Sequence, residues 1–146
     1  MKRLVVILTA LLILASSAGC FGEREQELQD GSVGFETRKF INPADPEDGY
    51  MAIEYNGRTY LPYGTVKTAL RDRDLGACLG YIVQDGVPDE NLRVYLLADD
   101  PDANWLVEKN VKGFMDQPVF LRAADTAGKD IEIPDFVGSL GYDYWE

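Results

Sequence analysis

A mainly β or α+β fold is predicted for this chain: a small twisted antiparallel sheet or open barrel of roughly six to eight strands with one short helix. Short apolar runs of period two, an Asn-Gly pair set between two of them, and the want of any long helical period carry that reading. The domain opens at "YMAIEYNGRTYLPY". A type I′ turn needs positive φ at both central residues, so Asn56-Gly57 between alternating residues predicts a hairpin. Its register sets Tyr55 opposite Arg58, Ile53 opposite Tyr60 and Met51 opposite Pro62. Met51, Ile53, Tyr55 and Tyr60 then share the expected core face, with Ala52, Glu54 and Thr59 on the other.

Next, "TVKTALRD" predicts the short helix over 65–72, capped by Thr65. In "LGACLGYIVQDG" the residues Leu75, Leu79, Tyr81 and Val83 read as a strand, and Gly76 and Gly80 mark a bulge or a close backbone approach. "NLRVYLL", "NWLVEKNV" and "PVFLRAAD" are further strand-like runs, as is the alternation of Ile131 and Ile133 around Glu132. Phe136, Tyr142, Tyr144 and Trp145 form an aromatic tail. Such a cluster either seals a small core or serves as a docking patch for a partner.

Ahead of the domain stand Lys2, Arg3 and an apolar run from Leu4 to Ala15 broken only by Thr9, followed by Ser16, Ser17, Ala18 and Gly19. This is the order of a secretory signal: basic residues, an apolar stretch, then small residues at a cleavage site. A bilayer span needs about 20 apolar residues, more than the run supplies, and a core helix would be apolar all round. The signal is therefore assigned to residues 1–19. Ser17-Ala18-Gly19-Cys20 resembles the lipobox of bacterial lipoproteins, departing from it at Ser17, where leucine is commonest. The resemblance implies that Cys20 receives a diacylglycerol and becomes the first residue of the mature chain, held at the extracytoplasmic face of the cell membrane. A plain secretory signal cut near Ala18, with Cys20 an ordinary thiol, is the alternative.

Residues 20–48 are rich in charge, Gly and Pro, and read as a tether whose reach as a flexible coil is roughly 30 Å. "VGFETRKFI" within it is the alternative place for a first strand, so the 49–146 domain has an uncertain start. The hairpin and "LGACLGYI" weakly resemble small uncharacterised lipoproteins of Gram-positive bacteria, a resemblance that implies no activity. Loss of Lys2 and Arg3 with the signal takes the net charge from −11 to −13. An acidic chain is repelled by phosphates, which speaks against nucleic acid as a partner and for a domain standing off the headgroups.

Chemistry is narrowed by what the chain lacks. It has no histidine, and its cysteines are Cys20 and Cys78. The usual zinc sites and the His-dependent acid–base and nucleophilic arrangements are thereby excluded. Cys78, flanked by apolar residues and without an activating base, is expected in the core. Asp100-Pro101-Asp102-Ala103-Asn104 matches half a calcium loop, but Trp105 stands where glycine is required and Val111 where glutamate is; a turn is expected there, and calcium is expected still less at "NPADPEDG", residues 42–49. Asp99, Asp100, Asp102 and Asp116 are the carboxylates from which a glycosidase-like pair would have to come, though a charge run is ordinarily a solvated face. The expectation is no enzyme, no cofactor and no metal. The chain reads first as a lipid-anchored binding or accessory module meeting another envelope or secreted protein. The alternatives are a ligand-binding lipoprotein for a cation or cationic peptide, and a surface immunity or inhibitor protein.

Overall fold

The computed structural model describes residue 28, residues 31–113 and residues 117–146, so the signal segment, Cys20 and Asp116 lie outside the described residues. Of the described residues 56% are in strands and 8% in short helical turns, and the sheet curls into a small, partly open barrel. The strands are β1 (Val33–Glu36), β2 (Arg38–Asn42), β3 (Asp45–Tyr55), β4 (Arg58–Val66), β5 (Leu75–Gln84), β6 (Val87–Leu97), β7 (Trp105–Asn110), β8 (Val119–Ala123) and β9 (Val137–Ser139). They pair in the order β1-β5-β6-β7-β8-β4-β3-β2, with β9 also against β4.

The two ends of that order, β1 and β2, are consecutive in the chain, separated by Thr37 alone. A sheet whose end strands are covalent neighbours has to curl until its edges approach. The segment bridges them: β1 runs parallel to β5, and β2 antiparallel to β3. This corrects the start of the domain, because residues 33–48, inside the expected tether, are β1, β2 and the beginning of β3. Charge there is no obstacle to pairing, since the side chains of β2 are mostly exposed and only its backbone enters the ladder.

The barrel is packed on both faces. Phe35, Ile53, Tyr60, Ile82, Val94, Leu106, Leu121 and Ala123, drawn from seven strands around the ring, form one cluster and therefore fill the lumen. Outside the wall, Tyr63, Tyr95, Leu97, Trp105, Val107, Phe120 and Val137 form a second cluster, over which Ile131 and Phe136 are laid. A third, Tyr50, Ala52 and Leu61, lies under Phe40, Tyr142, Tyr144 and Trp145.

The Asn56-Gly57 hairpin has the expected register of Ile53 with Tyr60 and Tyr55 with Arg58, and both turn residues have positive φ, 49° and 73°. Its far end departs from expectation. Met51 pairs with Lys39 and Pro62 with Leu121, and Met51 is 48% exposed while Ala52 is 4% exposed. The alternation had assumed one solvated face; the tail covers that face, so Ala52 is buried too.

The expected helix over 65–72 is absent. Thr65 and Val66 extend β4 against β9, and the Thr65 hydroxyl bonds Gln117 and the Pro118 carbonyl instead of capping a helix. A 3-10 turn, Asp72–Asp74, follows, tied by Arg71 to the Asp74 carboxylate at 3.0 and 3.1 Å. Two β-branched residues meeting a free sheet edge outweigh the weak helical propensity of so short a run. Ile131 and Ile133 do not form a strand either: the stretch before β9 lies over the outside of the barrel wall, Ile131 packing on the outer cluster and Ile133 exposed. Gly80 makes the close approach expected of it, since a Cβ there would collide with the Val33 carbonyl of β1. β5 is irregular around it, with register shifts on either side.

Candidate functional site

The β3–β4 hairpin tip and the β6–β7 connection meet at one mouth of the barrel, and Arg58 joins them. Its guanidinium donates to the Asp102 carbonyl (2.8 Å), the Ala103 carbonyl (2.9 Å) and Asn104 Oδ1 (3.1 Å). It also grips both Asp125 carboxylate oxygens, at 2.7 and 3.1 Å. The half calcium loop therefore already holds a cation, and that cation is an arginine of the same chain. Hydrogen bonds from Arg58 hold the Asp125 carboxyl below its ordinary range and, reciprocally, hold the Arg58 proton more tightly. Tyr60, beneath the guanidinium, donates its hydroxyl to the Ala103 carbonyl at 2.6 Å. Ala103 sits at φ 48°, a left-handed conformation sparse for alanine, which is what turns two successive carbonyls toward Arg58.

Asp100 serves the turn as well: Oδ2 accepts the Trp105 backbone N–H at 2.8 Å. Asp99 is exposed on the rim. The acidic run is thus divided between a turn and a solvated edge. No group of three or more His, Cys, Asp or Glu suited to a metal ion exists among the described residues. In "NPADPEDG" the acids and amide bond one another, Asn42 Nδ2 to Asp48 (2.8 Å) and the Glu47 N–H to Asp45 (3.0 Å). Tyr50 donates to Asp48 at 2.8 Å, and burial, aided by that carboxylate, pushes its hydroxyl up to about 12.

Behind this rim is an open cavity of about 670 Å³ lined by Tyr55, Gly76, Leu96, Leu97, Asp99 and Asp100, among others. Tyr55 and Leu96 border the lumen cluster and Leu97 belongs to the outer one, so the cavity sits across the end of the barrel wall. The volume falls within the range that holds small ligands, roughly 300–1,000 Å³. Gly76 leaves the floor open because a side chain there would press on Leu96.

The tail lies across the outer wall. Trp145 Nε1 donates to the Pro62 carbonyl at 2.7 Å and Tyr144 Oη to the Ala124 carbonyl at 3.1 Å, and Tyr142 and Tyr144 both meet the Tyr50 ring edge-on. All three are half-buried. Phe136 is apart from them, against Phe120. Under the tail Arg122, 7% exposed, is enclosed by the rings of Tyr63, Trp105 and Trp145 at 5.0–5.8 Å, while Thr126 accepts from it through both hydroxyl and carbonyl at 2.8 Å. Cys78 is half-buried on the outer wall opposite Tyr95, its thiol 3.8 Å from the Gly80 carbonyl.

Arg58, Asp125, Arg122 and Glu108 were not singled out from sequence. The first three hardly announce themselves, because each acts on partners made near by folding. Glu108 does have a signal: it stands two residues after Leu106 in a strand, hence on the same face. Architecture and rim together define a small β-barrel with a ligand-sized mouth. The chain matches no known protein-family model, no curated protein and no solved structure.

Proposed function

We propose that this protein is a lipid-anchored extracytoplasmic binding module whose barrel mouth receives a cation or a cationic peptide. The carrying observation is the cavity between Tyr55, Leu96 and the Asp99–Asp100 rim, which offers apolar walls beside carboxylate charge. Anchoring at Cys20 and residence at the cell membrane rest on the N-terminal sequence. The partner-docking role of Phe136, Tyr142, Tyr144 and Trp145 recedes, because the polar atoms of Tyr144 and Trp145 are engaged within the chain and covering the third cluster occupies their rings.

Backbone amide spectra recorded during titration with trilysine, with triglutamate as control, test the mouth. Saturable shifts confined to residues 55–56, 76–77 and 96–103, and weakened several-fold in Asp99→Asn, are expected. Shifts scattered over the acidic surface, or equal response to both peptides, would reject the site. The anchor is tested separately: palmitate labelling and detergent partitioning are expected for the full chain in a bacterial host and lost in Cys20→Ala.

A further inference from the structure

At the other end of the barrel the lumen offers a second site. Strand β7 alternates across the wall: Trp105 and Val107 belong to the outer cluster, Leu106 to the lumen, and Glu108 follows Leu106 inward. Register fixes its surroundings, with Glu108 opposite Val94 of β6 and Val119 of β8. Burial is graded along the barrel. Val94, Leu106 and Leu121 are sealed, whereas Leu92, Glu108 and Val119, the next layer out, are half-buried. Leu92, Val94 and Val119 thus surround the Glu108 carboxylate with a layer of apolar side chains. Arg93 and Lys109, adjacent in the register, face the opposite side of the wall, where Lys109 approaches Asp72. Among the described residues no hydrogen bond or ion pair engages the Glu108 carboxylate.

We propose that this half-buried apolar layer binds an amphiphilic amine, its ammonium on Glu108 and its alkyl chain on Leu92, Val94 and Val119. A lone carboxylate on an apolar wall is costly to ionise, and burial pushes its pKa up to about 7. An ammonium group relieves that cost where an alcohol or carboxylate head cannot. The site is separate from the rim and does not depend on the function proposed for it.

The test uses n-octylamine, with n-octanol and n-octanoate as probes of the same tail, titrated at pH 8 into wild type and Glu108→Gln and followed by amide spectra. Glutamine keeps the volume, and a thermal melt confirms folding of the variant. Wild type is expected to bind the amine at least about tenfold more tightly than the alcohol, with shifts at Leu92, Val94, Glu108 and Val119. Glu108→Gln is expected to bind amine and alcohol alike. Four results would each overturn the proposal: equal binding in wild type, a preference surviving Glu108→Gln, shifts confined to the mouth around Tyr55 and Asp99, or no saturable binding of the amine.

Discussion

Three charges, Arg122 and Arg93 buried and Glu108 half-buried, face three different surroundings, and each predicts its own response to substitution. Among the described residues Arg122 has no carboxylate partner, yet its ring faces and Thr126 acceptors satisfy it. A lysine cannot reproduce a planar group stacked among rings while donating in its own plane. Arg122→Lys is expected to cost about 2–4 kcal/mol in denaturant unfolding. Arg93, 9% exposed, donates from Nε to the Glu90 carbonyl but has one terminal nitrogen buried without an acceptor. Arg93→Met in the same assay is expected to stay within about 1 kcal/mol of wild type, because it removes an incompletely satisfied charge and keeps the apolar stem. Glu108 is penalised outright. Its folded pKa lies near 7, above the ordinary 4.5, so between those values the folded state holds a proton the unfolded state has lost. Stability therefore falls as pH rises across that window, by roughly 3 kcal/mol in all, and is level above it. Glu108→Gln is expected to abolish that slope and to be the more stable protein at pH 8; unfolding curves with the same fall in both proteins would contradict the assignment.

At the scale of elements, hairpins were legible and their coverings were not. Asn56-Gly57 is legible because its φ requirement is local, and Asp85-Gly86, which joins β5 to β6 with φ of 52° and 75°, carries the same signal. Gly57 has open space around a would-be Cβ, so strain alone decides Gly57→Val, expected to cost about 1–3 kcal/mol. Ile53→Ala opens the filled lumen and should cost about 2–5 kcal/mol, with Thr59→Val near neutral. Denaturation at equal m-value orders the three; a silent Gly57→Val would contradict the turn. Ala52 and Met51 show where legibility ends: period two separates the faces, but which face is covered depends on a tail some ninety residues away. Thr65 and Val66 show the same limit, since their strand exists only because β8 and β9 supply edges. The candidate site was partly legible. The rim acids stand out in the sequence, while the arginine that binds their loop comes from another hairpin and leaves no local pattern.

The whole molecule is a wall packed on both sides, its lumen filled and its outer clusters covered by residues of the last third. Trp145 joins the outer coat to the hairpin strand and to Arg122, so Trp145→Ala should cost about 3 kcal/mol although the residue is only half-buried. Chemical denaturation measures it, and a loss under about 1 kcal/mol would mean that the tail is only laid on the surface. Because Trp145 bonds Pro62 across 83 residues, Tyr144 meets Tyr50 across 94, and β1 closes on β5, the aromatic tail and β1 each meet strands far along the chain. Contacts so distant in sequence are reached only after long loops have closed, which places refolding in the millisecond-to-second regime typical of nonlocal β topologies.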